Sequence, residues 1–132
     1  MERKICLDTD FLVNFLTNKK EEVDFVRENE ASADFATTYL NLFELYYGAY
    51  RSKDSQNKLG IIPPLLSRIN VLNLSDESVE KAGEIQAKLR QKGKMIKFRD
   101  LLIGTIALVN GYSIKTKNIK HFERIEGLTV SD

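Results

Sequence analysis

The sequence has one cysteine, one histidine, two prolines and no tryptophan in 132 residues. A lone cysteine excludes an internal disulfide, and Cys6 falls in an apolar run where a packed core thiol is the simpler reading. One histidine and one cysteine leave no ligand set with zinc spacing, so a zinc enzyme is not expected. No apolar run approaches the roughly 20 residues of a membrane-spanning helix. Met1-Glu2-Arg3-Lys4 leads into a short strand rather than into the apolar core of a signal peptide. A cytoplasmic location without a membrane partner is expected. Neither sign of charge dominates: 20 Lys and Arg against 19 Asp and Glu leave a net charge of +1, so any basic surface must be local.

What is present is an ordinary globular composition, 42% hydrophobic and 30% charged. The length suits a single domain over residues 1–132 with a sizeable core. Strand and helix patterns alternate. Lys4–Leu7 reads as a strand, Thr9–Leu16 as a short helix, and Glu21–Glu30 as an amphipathic helix with Val23 and Val26 on one side. Ala33–Thr37 reads as a second strand ending in Thr37-Thr38, good capping chemistry for a helix over Tyr39–Arg51. Asp54–Arg68 is expected to be helical but broken at Gly60 and Pro63-Pro64. Asn70–Leu74 follows as a third strand. Ser75 caps a helix running to Gln91, and Gly93 ends it. Phe98–Asn110 reads as a helix closed by Gly111, and Tyr112–Lys115 and Leu128–Val130 as the last strands. This order predicts an α/β fold with a central parallel sheet covered by helices on both faces.

The most informative segment is Leu7-Asp8-Thr9-Asp10, where carboxylates stand at the end of an apolar strand. Burying them is costly without a cation or hydrogen-bond donors, and ligands of α/β folds bind at that end of the sheet. Asp and Thr are also good helix N-caps, so a cation site and a cap both fit this segment alone. A second carboxylate, Glu44, lies between two apolar stripes, Leu42-Leu45-Tyr46-Ala49 and Leu40-Phe43-Tyr47. A helix apolar on nearly all sides is expected to be buried, so Glu44 needs a compensating partner or an escape to solvent. Most of Tyr46, Tyr47 and Tyr50 are accordingly expected in the core. A third carboxylate, Asp100, opens the wholly apolar Leu101–Val109. The helix dipole alone would favour Asp there, and Gly104 one turn on permits close packing. Thr116-Lys117-Asn118 follows the fourth strand, where a simple turn is the competing explanation. Asp8, Glu44, Asp100 and Asn118 share one rim of a parallel sheet. Oxygen ligands without sulfur or paired histidines suit Mg²⁺ or Mn²⁺, and such a site on a phosphodiester points to metal-assisted hydrolysis.

Leu7-Asp8-Thr9-Asp10, Asn41-Leu42-Phe43-Glu44-Leu45-Tyr46-Tyr47-Gly48, Gly93 and Ile96 ahead of Arg99-Asp100-Leu101-Leu102-Ile103-Gly104, and Thr116-Lys117-Asn118 with His121-Phe122 and Gly127-Leu128 stand in order along the chain. In this it resembles a PIN domain, specifically the VapC-type toxin of a VapBC toxin–antitoxin pair. The resemblance implies an α/β/α sandwich and a Mg²⁺- or Mn²⁺-dependent endoribonuclease leaving 5′-phosphate and 3′-hydroxyl ends. It makes Asp8, Glu44 and Asp100 the acidic, metal-binding core. Asn118 stands where the family usually has a fourth acidic residue, which leaves a second metal position open. Asp10 is a helper or the cap of the first helix, and Thr116 a support through its hydroxyl. The resemblance further implies a homodimer and a cognate antitoxin that occludes the metal site.

RNA also has to be held. Lys94, Lys97 and Arg99 precede Asp100, and Lys115, Lys117 and Lys120 flank Asn118; all are candidates for phosphate contacts that carry no sequence information. Arg99 alternatively pairs with a site carboxylate when no metal is bound. His121, beside Phe122, reads as a packing residue. Two rivals compete. A strand-end Asp-x-Asp also opens haloacid-dehalogenase-like phosphatases, but the late acidic pair of that class is missing, since Glu123 is the next acidic residue after Asp100. A non-catalytic PIN-like module binding RNA or protein is the other, and it has no need of three buried carboxylates.

Overall fold

Side chains alternate across the first strand: Ile5 and Leu7 join one apolar cluster while Cys6 joins another on the opposite face. That alternation, repeated by Phe35 and Ala36 in the second strand, sets a sheet between two helical layers. The computed structural model describes residues 3–132; Met1 and Glu2, part of the expected leaderless start, lie outside them. The elements are β1 (Arg3–Leu7), α1 (Thr9–Leu16), α2 (Lys20–Asn29), β2 (Ala33–Thr38), α3 (Tyr39–Arg51), α4 (Ser55–Gly60), α5 (Ile62–Leu66), β3 (Asn70–Leu72), α6 (Asp76–Gln91), α7 (Phe98–Val109), β4 (Ser113–Lys115), α8 (Ile119–Phe122) and β5 (Val130–Ser131). The five strands are ordered β3-β2-β1-β4-β5, and every pairing is parallel. The expected α/β architecture with a parallel sheet is therefore present. β1 is central because it is buried on both faces, and Cys6 pairs with Ala36 on one side and Ile114 on the other. Burial, then the nearby Asp8 charge, pushes the Cys6 thiol well above its ordinary pKa, so it is an inert core group.

One layer joins α1, α2, α3 and α5 to the sheet through Phe11, Leu12, Val26, Leu42, Leu45 and Ile62. The other layer joins α6, α7 and α8 through Ile85, Leu89, Ile103, Phe122 and Ile125. The expected break at Gly60 and Pro63-Pro64 appears as the junction of α4 and α5, with Pro in the first turn of α5. Thr38 and Asn41 form a reciprocal capping box that starts α3, and Ser75 and Ser78 form another that starts α6. Gly111, at φ 78°, takes the left-handed conformation that ends α7.

Strand limits differ from the pattern at the sheet edges. β3 stops at Leu72, with Leu74 exposed, and β5 begins at Val130 rather than Leu128. Edge strands have a single ladder partner, so pairing ends sooner than hydrophobicity does. A larger difference concerns α3. Phe43 and Tyr47 of the second stripe are 66% and 57% exposed, as is Tyr50 at 70%, and only Leu40 of that stripe packs, partly buried, against the core. Only the Leu42-Leu45-Ala49 stripe is buried, with Tyr46 packed at its margin. Helix α3 packs on the first layer through Leu42, Leu45 and Ala49 and touches the second only through Leu40 at its start, which leaves Phe43, Tyr47 and Tyr50 to solvent.

Candidate active site

The ends of β1 and β4, the start of α7 and the second turn of α3 deliver the site. Asp8 follows β1 and is the N-cap of α1, its Oδ1 accepting a 2.8 Å hydrogen bond from the Thr9 backbone N–H. Cap and cluster member are thus one residue, and Asp10, half of the original pair, is exposed in the first turn of α1. Asp8 is 3% exposed, and buried charge of this kind requires several donors. It has them: Asn41 Nδ2 donates to Oδ1 at 2.9 Å, Thr116 Oγ1 to Oδ2 at 2.7 Å, and Arg99 Nη2 to Oδ1 at 2.9 Å.

Asp100, 2% exposed, is the third residue of α7, where the helix dipole favours a carboxylate. Its Oδ1 accepts from Arg99 Nη1 at 2.6 Å, and its Oδ2 accepts from Asn118 Nδ2 at 2.9 Å and lies 2.8 Å from His121 Nδ1. Glu44, partly buried on α3, accepts from the Thr9 hydroxyl and from Arg99. Burial raises the Glu44 carboxyl. Hydrogen bonds from Arg99 and Thr9 and the Arg99 charge outweigh it and hold the group below its ordinary pKa, with Asp100 opposing. Burial also works against the Arg99 charge, but its hydrogen bond to Glu44 and the Asp8 and Asp100 carboxylates raise the guanidinium further above its already high value.

The structure therefore brings Asp8, Glu44, Asp100 and Asn118 together, with Thr116 beneath Asp8. Asp8, Glu44, Arg99 and Asn118 line an open cleft bordered also by Asp10, Tyr47, Arg51 and Lys117, and Asp100 joins them through Arg99 Nη1. Arg99 takes the second of its two sequence readings and turns inward among the carboxylates. Lys117 is exposed on the cleft wall, whereas Lys97 is exposed outside the residues that line it. Lys115 is drawn away: its ammonium lies 4.2 Å from the Phe25 ring centroid and donates to the Asp132 carbonyl.

Three participants escaped the sequence reading. Asn41 is fully buried, with its amide oxygen accepting from the Thr38 backbone and hydroxyl while its nitrogen serves Asp8 and Thr9. Thr9 bridges Asn41 to Glu44. His121 contacts Asp100 and Asn118 rather than simply packing; its neighbour Phe122 is the fully buried one. The spacing Asn118-x-x-His121 on one helical turn was the available signal.

The PIN domain matches residues 5–128, nearly the entire chain. The chain belongs to the PIN-domain family. This PIN domain is 30% identical over 129 residues to the tRNA(fMet)-specific endonuclease VapC of Salmonella typhimurium, covering 98% of this chain and 97% of that protein. It is 32% identical over 129 residues to the protein of the same name from Shigella flexneri, with the same coverage. Among solved structures, VapBC2 from Rickettsia felis, bound to a DNA fragment from its promoter, superposes with a TM-score of 0.88 at 27% identity over 97% of each chain. Membership in this family removes the phosphatase alternative.

Proposed function

We propose that this PIN domain is a divalent-metal-dependent endoribonuclease and the toxin of a toxin–antitoxin pair. The observation that carries the reading is the gathering of Asp8, Glu44 and Asp100, from three separate elements, around the one Arg99 guanidinium at the edge of an open cleft. The VapC relatives are named as ribonucleases, and their solved neighbours are VapBC complexes. RNA is the substrate and a cognate antitoxin the partner. The protein acts as a homodimer in the cytoplasm.

The donor set suits Mg²⁺ or Mn²⁺: three carboxylates already share one cationic group, the Arg99 guanidinium. Asp8 and Asp100 would hold the ion, with Glu44 beside them and Asn118 as a neutral neighbour. When bound, such an ion activates water and neutralises charge developing on the phosphoryl oxygens. The protein's part is orientation. Asn41 and Thr116 hold the two oxygens of Asp8, while Asn118 and His121 hold one oxygen of Asp100, so each carboxylate has a defined orientation. Lys117 and Arg51 on the cleft wall offer cations for the RNA backbone.

The test is cleavage of RNA by the purified protein with Mg²⁺ or Mn²⁺, abolished by chelation. A non-catalytic binding module is separated from this reading by thermal unfolding: metal stabilises the nuclease and stabilises its Asp8→Asn variant much less. No metal response in either protein favours the module.

A further inference from the structure

Arg99 stands at the wrong end of its helix. It is the second residue of α7, and a cation in the first turn opposes the helix dipole. Neither helix stability nor surface solubility accounts for the position. Its hydrogen bonds do. The guanidinium makes a two-pronged contact with Glu44, Nε to Oε2 and Nη2 to Oε1, both 2.7 Å. Nη1 reaches Asp100 Oδ1 at 2.6 Å, and Nη2 reaches Asp8 Oδ1 at 2.9 Å. One planar fork thus spends donors on all three carboxylates, a geometry that a lysine ammonium does not reproduce. Three negative charges meet one positive charge, so the cluster stays electron-rich and still attracts a cation of higher charge.

The space is also taken. Among the described residues, no three His, Cys, Asp or Glu side chains are grouped as ligands of a single ion. The guanidinium lies between the carboxylates that would have to converge. At the same time Arg99 is about one-third exposed and lines the open cleft, so a path from the cluster into solvent is open to its side chain.

We propose that Arg99 is an internal counterion that competes with the divalent cation for Asp8, Glu44 and Asp100, and that metal binding expels it into the cleft. This rests on the metal-site reading given above. Without metal, Arg99 compensates two buried carboxylates that would otherwise repel each other and destabilise the fold. With metal, the expelled guanidinium stands at the cleft wall beside Lys117, placed for a phosphate. The arrangement sets a threshold: the site loads only where metal, or metal with RNA, outbids an intramolecular partner.

The experiment compares wild type with Arg99→Gln and Arg99→Lys after chelator treatment and dialysis, reading Mn²⁺ affinity by titration calorimetry and thermal unfolding with and without Mn²⁺. Arg99→Gln is expected to unfold at a lower temperature than wild type without metal, to bind Mn²⁺ at least tenfold more tightly, and to gain more from it. Arg99→Lys is expected to fall between the two. An Arg99→Gln protein that folds only when Mn²⁺ is added supports the inference in its strongest form, and one that stays unfolded with Mn²⁺ overturns it. Equal or weaker Mn²⁺ affinity in Arg99→Gln, or unchanged metal-free stability, overturns the inference alone. Absence of Mn²⁺ binding in all three proteins overturns the metal-site reading and the inference with it.

Discussion

Arg99 and Glu44, 55 positions apart in sequence, face each other as a fork and a carboxylate, with both hydrogen bonds 2.7 Å long. This pair ties α3 on one side of the sheet to the start of α7 on the other. It gives the metal-free protein a specific acid sensitivity. Glu44 has a depressed pKa in the folded chain, so its contribution is fully present above the ordinary value of 4.5 and is lost as pH falls through the lower, folded value. Urea unfolding in chelator between pH 3 and pH 7 is expected to show stability falling below about pH 4.5. Glu44→Gln is expected to be less stable at neutral pH and to have a shallower acid limb; an unchanged limb would show that the pair does not titrate as described.

Asp8 depends on neutral donors as well as on Arg99. Thr116→Val keeps the shape of the side chain but removes the 2.7 Å bond to Asp8 Oδ2. The loss is expected to cost about 1–3 kcal/mol of stability and roughly 10–100-fold in cleavage, the usual effect of removing support behind a ligand. Asn41→Leu, which strips donors from both Asp8 and Thr9, is expected to be at least as damaging. Denaturant titration and single-turnover cleavage measure both.

Helix α7 packs closely against the segment after α8, and Gly104 makes that approach possible. A Cβ at Gly104 would stand 2.4 Å from Ile125 Cδ1 and 3.0 Å from Phe122 Cδ1, both on fully buried side chains with little room to shift. Gly104→Ala is expected to destabilise the protein by about 1–3 kcal/mol, despite the roughly 1 kcal/mol that alanine adds to a helix interior. Gly83, on the exposed side of α6, has nothing within 4 Å of the same position. Gly83→Ala is expected to stabilise by about 0.5–1 kcal/mol. Thermal unfolding of the two variants should move in opposite directions.

Much of this arrangement is legible from residue order. Alternating strands and helices require a parallel sheet, and carboxylates at the C-terminal end of β1 and at the start of an apolar helix share one rim. The site's supports are less visible, because their sequence signals have ordinary explanations. Asn41 is a competent capping-box residue, and it does cap α3, so nothing marks its second task at Asp8. His121 sits beside a core phenylalanine, and only the tertiary placement of α7 brings Asp100 to its ring. Glu44 stands out in a helix rich in aromatics, yet Phe43 and Tyr47 stack on each other in solvent rather than in the core. Hydrophobicity cannot tell a covered face from an uncovered one. The inward turn of Arg99 was one of two readings, and the choice depended on the distance to Glu44, which sequence does not carry.

Asp8, Glu44 and Asp100 are proposed as the catalytic cluster of an RNA-cleaving enzyme. Cleavage of RNA by Asp100→Asn with Mg²⁺ or Mn²⁺, beside wild type and with circular dichroism to verify the fold, tests this assignment most directly. The substitution keeps size and shape and removes a charge in contact with Arg99, Asn118 and His121. Wild type is expected to cleave RNA in a metal-dependent way and a folded Asp100→Asn protein not at all; cleavage at the wild-type rate by that variant would contradict the assignment.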